Sequence, residues 1–179
     1  MNKRHTSTVI GTTLALVGLD QLVKYLARTA AQGILGKTIA ALWPGVFELK
    51  LVFNKGIAFG MLQGKGIWLA PVAVLISVGA LVYSIRKPEE SRLSHITMVC
   101  LSAGAVGNLI DRSLFGQVTD MFWIRIIDFP VFNVADVLIT IAGCLLAWTA
   151  LQELQGKKSP DRNAPSQEPV IVNQGNESQ

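Results

Sequence analysis

Residues 107–136 read GNLIDRSLFGQVTDMFWIRIIDFPVFNVAD. Apolar segments long enough to cross a bilayer flank this stretch on both sides. Its polar groups, Asn108, Asp111, Arg112, Asp120, Asn133 and Asp136, therefore fall at or near hydrocarbon. Ionisable side chains are expensive there and mark a functional site by default. Two i,i+3 pairs stand out, Asn108 with Asp111 and Asn133 with Asp136, each on one helical face. Asp120 lies between them.

The 179-residue chain is 50% hydrophobic and 16% charged, with a mean hydropathy of +0.42. Soluble domains carry about 25% charged residues, so this is the composition of an integral membrane protein. Apolar runs cover about 8–27, 67–85, 94–110 and 131–151. Each is near the ~20 residues that cross a ~30 Å hydrocarbon core. The expected fold is all-α integral membrane, with four transmembrane helices in one domain at 1–154. A disordered polar tail is expected at 155–179, where Pro, Ser, Asn, Gln and Gly dominate.

A small extracytoplasmic β-rich segment is expected between the first and second spans. Glu48-Leu49-Lys50-Leu51-Val52-Phe53 alternates polar with apolar residues, and Asn54-Lys55-Gly56 follows as a turn. Residues 113–131 read as a loop, with Phe122, Trp123 and Phe129 as interfacial anchors. The basic start and apolar core of the first run resemble a signal peptide. Asp20 and Lys24 interrupt it, and no small-residue cleavage site follows, so a retained span is expected.

Charge and ligand patterns narrow the function. A net charge of +4, with no basic cluster interleaved with aromatics, argues against nucleic acid. His5, His95, Cys100 and Cys144 stand apart, without H-E-x-x-H or C-x-x-C spacing, so neither metal nor cofactor is expected. Four spans place both termini on one side. Arg86, Lys87 and Arg92 crowd the loop between the second and third spans, so that side is read as cytoplasmic. Segments 29–66 and 113–130 then face outward.

Asp20 and Lys24 are spaced i,i+4, acid first, which favours a structural ion pair. A catalytic lysine working with a serine is the alternative. Two close carboxylates share a proton, so one serves as acid and the other as base. Such a pair activates water without a metal, which is aspartic peptidase chemistry. A small proton-coupled carrier would use the same buried acids. Spacing alone leaves Asp111, Asp120 and Asp136 equal.

Five motifs occur in order: D-Q-L-V-K at 20–24, F-N-K-G-I-A-F-G at 53–60, G-N-L-I-D-R at 107–112, V-T-D-M at 118–121 and F-N-V-A-D at 132–136. Together, over residues 8 to 152, they resemble the bacterial lipoprotein signal peptidases (signal peptidase II). The resemblance implies an aspartic endopeptidase, multi-pass in the cytoplasmic membrane, with its site near the extracytoplasmic face. Its substrates would be diacylglyceryl-modified prolipoproteins, cut on the amino side of the lipidated cysteine. Membrane lipid is the only other partner implied, and a monomer is expected. The implied catalytic pair is Asp120 and Asp136. Asn54, Asn108 and Asn133 would hold substrate or the pair, and Asp111 would support it, paired with Arg112. The chain departs from the family's usual V-V-D-F at Thr119 and Met121. Its 16-residue spacing from Asp120 to Asp136 is also a little short.

Overall fold

A computed structural model describes residues 3–56 and 70–156. Four helices are joined by a three-stranded antiparallel sheet: α1 (Lys3–Ala30), β1 (Thr38–Trp43), β2 (Phe47–Asn54), α2 (Ala70–Arg86), α3 (Arg92–Phe115), β3 (Val118–Ile124) and α4 (Val134–Gly156). Helices α1, α3 and α4 are long and apolar enough to cross a bilayer, while the apolar α2 is shorter. The expected start of the second span at 67 and nearly all of the tail lie outside the described residues. So do the apolar residues that follow Gly56.

The helices run past the expected ends, except at the start of α4, which begins at Val134 rather than at 131. The third span was expected to close at residue 110, yet α3 continues to Phe115. There Gly116 takes a left-handed φ of 67° and donates its N–H to the Arg112 carbonyl. At the other end, Ser91 accepts from the Ser94 N–H as an N-cap. Helix α1 likewise reaches Ala30, which makes Arg28 a helical residue rather than a loop cation.

Residues 113–131 are not simply a loop. Val118–Ile124 forms β3, and the sheet order is β1-β2-β3. The β-rich element is therefore assembled from two segments, the one between α1 and α2 and the one between α3 and α4, not only from the first. The strand is hidden in the sequence because Val118, Thr119, Asp120 and Met121 are all buried. A strand covered on both faces loses the period-2 alternation that identifies a half-buried one. After a single 3-10 turn the chain folds back. Phe132 exchanges backbone hydrogen bonds with Phe122, at 2.9 and 3.0 Å, and this staples the start of α4 to β3.

Small residues bring the helices together. Ala103, Gly104 and Ala105 are buried on α3, and Ser102 donates to the Ser77 carbonyl of α2 at 3.2 Å. A Cβ on Gly104 would lie 2.6 Å from the Ala135 carbonyl oxygen of α4. One on Gly107 would lie 2.5 Å from the Asp20 carboxylate of α1. Close backbone approach of this kind is how helices associate where no water drives burial. Large apolar residues such as Leu14, Leu22, Leu75 and Trp148 point outward from the bundle.

Gly107→Ala should thus displace Asp20 and destabilise the bundle by about 1–3 kcal/mol, as overpacking does. Gly79→Ala, where a Cβ meets nothing within 4 Å, should leave thermal unfolding in detergent unchanged.

Candidate active site

The site forms where the sheet meets the C-terminal ends of α1 and α3 and the start of α4. Asn133 immediately precedes α4. Its Oδ1 accepts the Asp136 N–H at 2.9 Å, and the Asp136 carboxylate accepts the Asn133 N–H at 3.2 Å. This reciprocal arrangement is a capping box, here with Asp in place of the usual Glu. It satisfies two amides that the helix leaves unpaired, and it fixes the Asp136 side chain. A third amide, of Ala135, donates to the Asp20 carboxylate of α1 at 2.9 Å.

The same Asn133 reaches the other acid. Its Nδ2 donates to Asp120 Oδ1 at 2.6 Å and to Asn108 Oδ1 at 3.2 Å. Asn108 Nδ2 in turn donates to Asp136 Oδ1 at 2.8 Å. Asp120 and Asp136 are therefore joined through two amides, each of which offers its N–H to a carboxylate. Asn54 on β2 lies near enough to Asp120 to act on its carboxyl as well. The register explains why: Asn54 pairs with Val118, so it shares a sheet face with Asp120, one diagonal step along.

Asp111 stands behind this pair and belongs to a second cluster. It is fully buried and accepts the Thr119 N–H at 2.8 Å. Its cations are Lys24 at 3.9 Å and Arg28 at 3.7 Å. The expected pairing with Arg112 is not formed. Consecutive helical residues point about 100° apart, so Asp111 faces α1 while Arg112 turns toward β2. There Arg112 Nη2 donates to the Gly56 carbonyl at 3.1 Å, with its charge in range of all three acids.

Lys24 is fully buried between Asp20, at 2.9 Å, and Asp111. It also donates to Asn108 Oδ1 at 3.0 Å and to the Gly107 carbonyl at 3.3 Å. An isolated buried ammonium would be prohibitive, but two carboxylates and two carbonyl oxygens satisfy it. Its partners are acids and carbonyls rather than a serine hydroxyl, which does not favour a serine–lysine mechanism.

Two contributors escaped the sequence reading. Arg28 Nη1 donates to Thr119 Oγ1 at 2.8 Å and lies 4.7 Å over the Phe115 ring. Gln21 Nε2 donates to Asp20 and to the Gly107 carbonyl. The signal for Arg28 was present, since residues 20, 24 and 28 form one i,i+4 stripe. Thr119, a departure from the valine usual in the motif, gains a partner through this arginine.

Asp120 is buried on β3, outside the helices. Burial pushes its carboxyl up to about 7, and the neighbouring Asp136 carboxylate adds to the rise. The hydrogen bond from Asn133, the nearby Asn54 side chain and the charge of Lys24 oppose it. At neutral pH Asp120 is thus poised between protonated and ionised forms. A general acid or base of that strength is well matched to its medium.

Comparisons with known proteins give the family of the chain. A family model described as signal peptidase (SPase) II matches residues 12–152. The chain belongs to the signal peptidase II family. A lipoprotein signal peptidase of Gloeobacter violaceus is 42% identical over 152 residues, covering 84% of this chain and 86% of that protein. One from Streptococcus thermophilus is 37% identical over 143 residues, covering 80% and 92%. Two solved structures of bacterial membrane enzymes, obtained by the in meso method, share the fold. Their TM-scores are 0.75 and 0.71 at 29% and 30% identity, covering 87% and 82% of this chain and 94% of each of those chains.

The position of Asp120 makes a pH prediction. If Asp120 is the group that must hold a proton, kcat/KM should fall as pH rises through about 7. A profile flat from pH 6 to 9 would place the essential proton elsewhere.

Proposed function

We propose that Asp120 and Asp136 are the catalytic pair of a membrane aspartic endopeptidase that cleaves diacylglyceryl-modified prolipoproteins on the amino side of the lipidated cysteine. The activity class follows from family membership: a lipoprotein signal peptidase is an aspartic endopeptidase that removes signal peptides from prolipoproteins. The chain is a multi-pass membrane protein. The observation that carries the assignment of the pair is the amide bridge. Asn108 and Asn133 each donate to one of the two carboxylates, whereas Asp111 is neutralised by Lys24 and Arg28.

The chemistry follows from that bridge. One carboxyl is ionised and takes a proton from water. The resulting hydroxide equivalent attacks the scissile carbonyl carbon, and the protonated partner gives its proton to the carbonyl oxygen. A neutral gem-diol forms. The proton roles then reverse: the carboxylate that gave its proton recovers one from a diol hydroxyl, and the other acid protonates the leaving nitrogen. The C–N bond breaks, and the pair returns to one shared proton. No covalent enzyme intermediate arises.

The four helices are read as four membrane spans, with residues 1–154 as the peptidase domain and a dispensable tail. The sheet end, with the acids, is read as extracytoplasmic. Arg86, Lys87 and Arg92 at the opposite end support cytoplasmic termini, in a bacterial cytoplasmic membrane. The signal helix would enter laterally, with the diacylglyceryl chains remaining in lipid and the scissile bond meeting the acids at the interface. The protein is read as a monomer.

Asp120→Asn and Asp136→Asn should each lower cleavage of a lipidated precursor in detergent by about 1,000-fold or more, with unfolding temperature near wild type. Asp111→Asn should act mainly by lowering that temperature. Near wild-type cleavage by either variant of the pair would refute the assignment.

A further inference from the structure

Lys24 lies deep in the bundle, reaches neither member of the pair, and is fully buried. A simple ion pair with Asp20 would account for its presence. Its other contacts, however, are directional. An ammonium can only donate, so its 3.0 Å contact requires Asn108 to present Oδ1 to it. The Asn133 Nδ2 donates to the same oxygen. Turning the Asn108 amide over would set its NH2 against two donors and its oxygen against the Asp136 carboxylate. In the observed orientation the Asn108 NH2 can only face Asp136, at 2.8 Å. The Asn133 amide is set in the same manner, because its Oδ1 accepts a backbone N–H.

We infer that Lys24 is a positioning residue for the reaction: through Asn108 it sets the direction of hydrogen bonding into Asp136, beyond its role as partner of Asp20. This rests on the reading of Asp120 and Asp136 as the catalytic pair. A donor polarised by a cation is a stronger donor, and low dielectric strengthens the whole chain of bonds. The chain runs from the ammonium through the Asn108 amide to the carboxylate. The charged groups around it are Asp20 and Arg28 on α1, Asp111 and Arg112 on α3, Asp136 on α4 and Asp120 on β3. Removing Lys24 leaves Asp20 and Asp111 facing the site with less neutralisation. It also removes an influence that draws the Asp120 carboxyl downward. Both changes disfavour a second negative charge, so the pH profile of kcat/KM moves to higher pH.

The decisive test is a double-mutant cycle on cleavage of a purified diacylglyceryl prolipoprotein, using Lys24→Met, Asn108→Ala and the double variant. Lys24→Met is expected to lower kcat about 100-fold, the loss typical of one preorganised donor, with little change in KM. In the Asn108→Ala background the same substitution should cost less than about threefold, because the route it acts through is gone. Additive losses with an unmoved pH profile would overturn the inference and leave Lys24 as a structural ion pair. If Lys24→Met does not fold, Asn108→Asp decides. Its carboxylate still accepts from Lys24 but has no N–H for Asp136, so it should be folded and nearly inactive. Near wild-type activity in Asn108→Asp would overturn the inference. Asp120→Asn, assayed alongside, separates the two levels: activity there refutes the pair itself, whereas an inactive Asp120→Asn with an additive cycle refutes only the role of Lys24.

Discussion

The structure depends on what Asn133 holds. One side chain closes the first turn of α4 and donates to Asp120 on β3, so a helix terminus and a strand are registered by the same amide. The helix leaves its first amides without partners. The site meets that need with two acidic side chains, Asp136 from within α4 and Asp20 from α1. Folding the helix start and placing the Asp136 carboxylate are thus one event. A carboxylate held by a cap has little rotational freedom, which is the preorganisation that the proposed water activation between two acids requires.

Around that centre the bundle solves a charge problem. Asp20, Asp111 and Lys24 are each fully buried, and Arg28 is partly covered. Such groups are tolerable only as a neutralised and hydrogen-bonded set. The set needs α1 and α3 close together, and Gly107 supplies the space. The division of labour among the aspartates follows. Asp111 faces two cations and the Thr119 amide, which anchors the strand just before Asp120. Asp120 and Asp136 are held by amides, and the charges of Lys24 and Arg112 act on them without a direct ion pair. Burial, with the nearby Asp136 carboxylate, outweighs those hydrogen bonds and keeps an Asp120 carboxyl that titrates at about 7, whereas the partners of Asp111 fit the supporting role proposed for it.

Much of this was legible in the sequence for physical reasons. Apolar runs near the ~20 residues that cross a bilayer located the helices. The i,i+3 pair Asn108/Asp111 lies on α3, whereas Asn133 precedes α4 and its i,i+3 spacing to Asp136 marks a helix cap rather than a helical face. The alternation at 48–53 marked β2. What escaped was what only tertiary contact decides. Strand β3 is buried on both faces, so it carries no alternation. The ends of α1 and α3 were placed short, which left Arg28 outside its helix. Arg112 was matched to its sequence neighbour, although adjacent helical residues diverge and the true cations of Asp111 lie on α1. Spacing could not rank the three aspartates; the ranking came from the resemblance of the motifs, and the proposed pair rests on it together with the amide bridge.

The central claim is that Asp120 and Asp136 share one proton at neutral pH. Infrared difference spectroscopy of the purified enzyme during a pH titration measures it directly, through the C=O stretch of a protonated carboxyl group. A band that titrates near pH 7, persists in Asp111→Asn and is lost in Asp120→Asn is the predicted result. A neutral-pH protein with no protonated carboxyl band, or one whose band survives in Asp120→Asn and vanishes in Asp111→Asn, would contradict it.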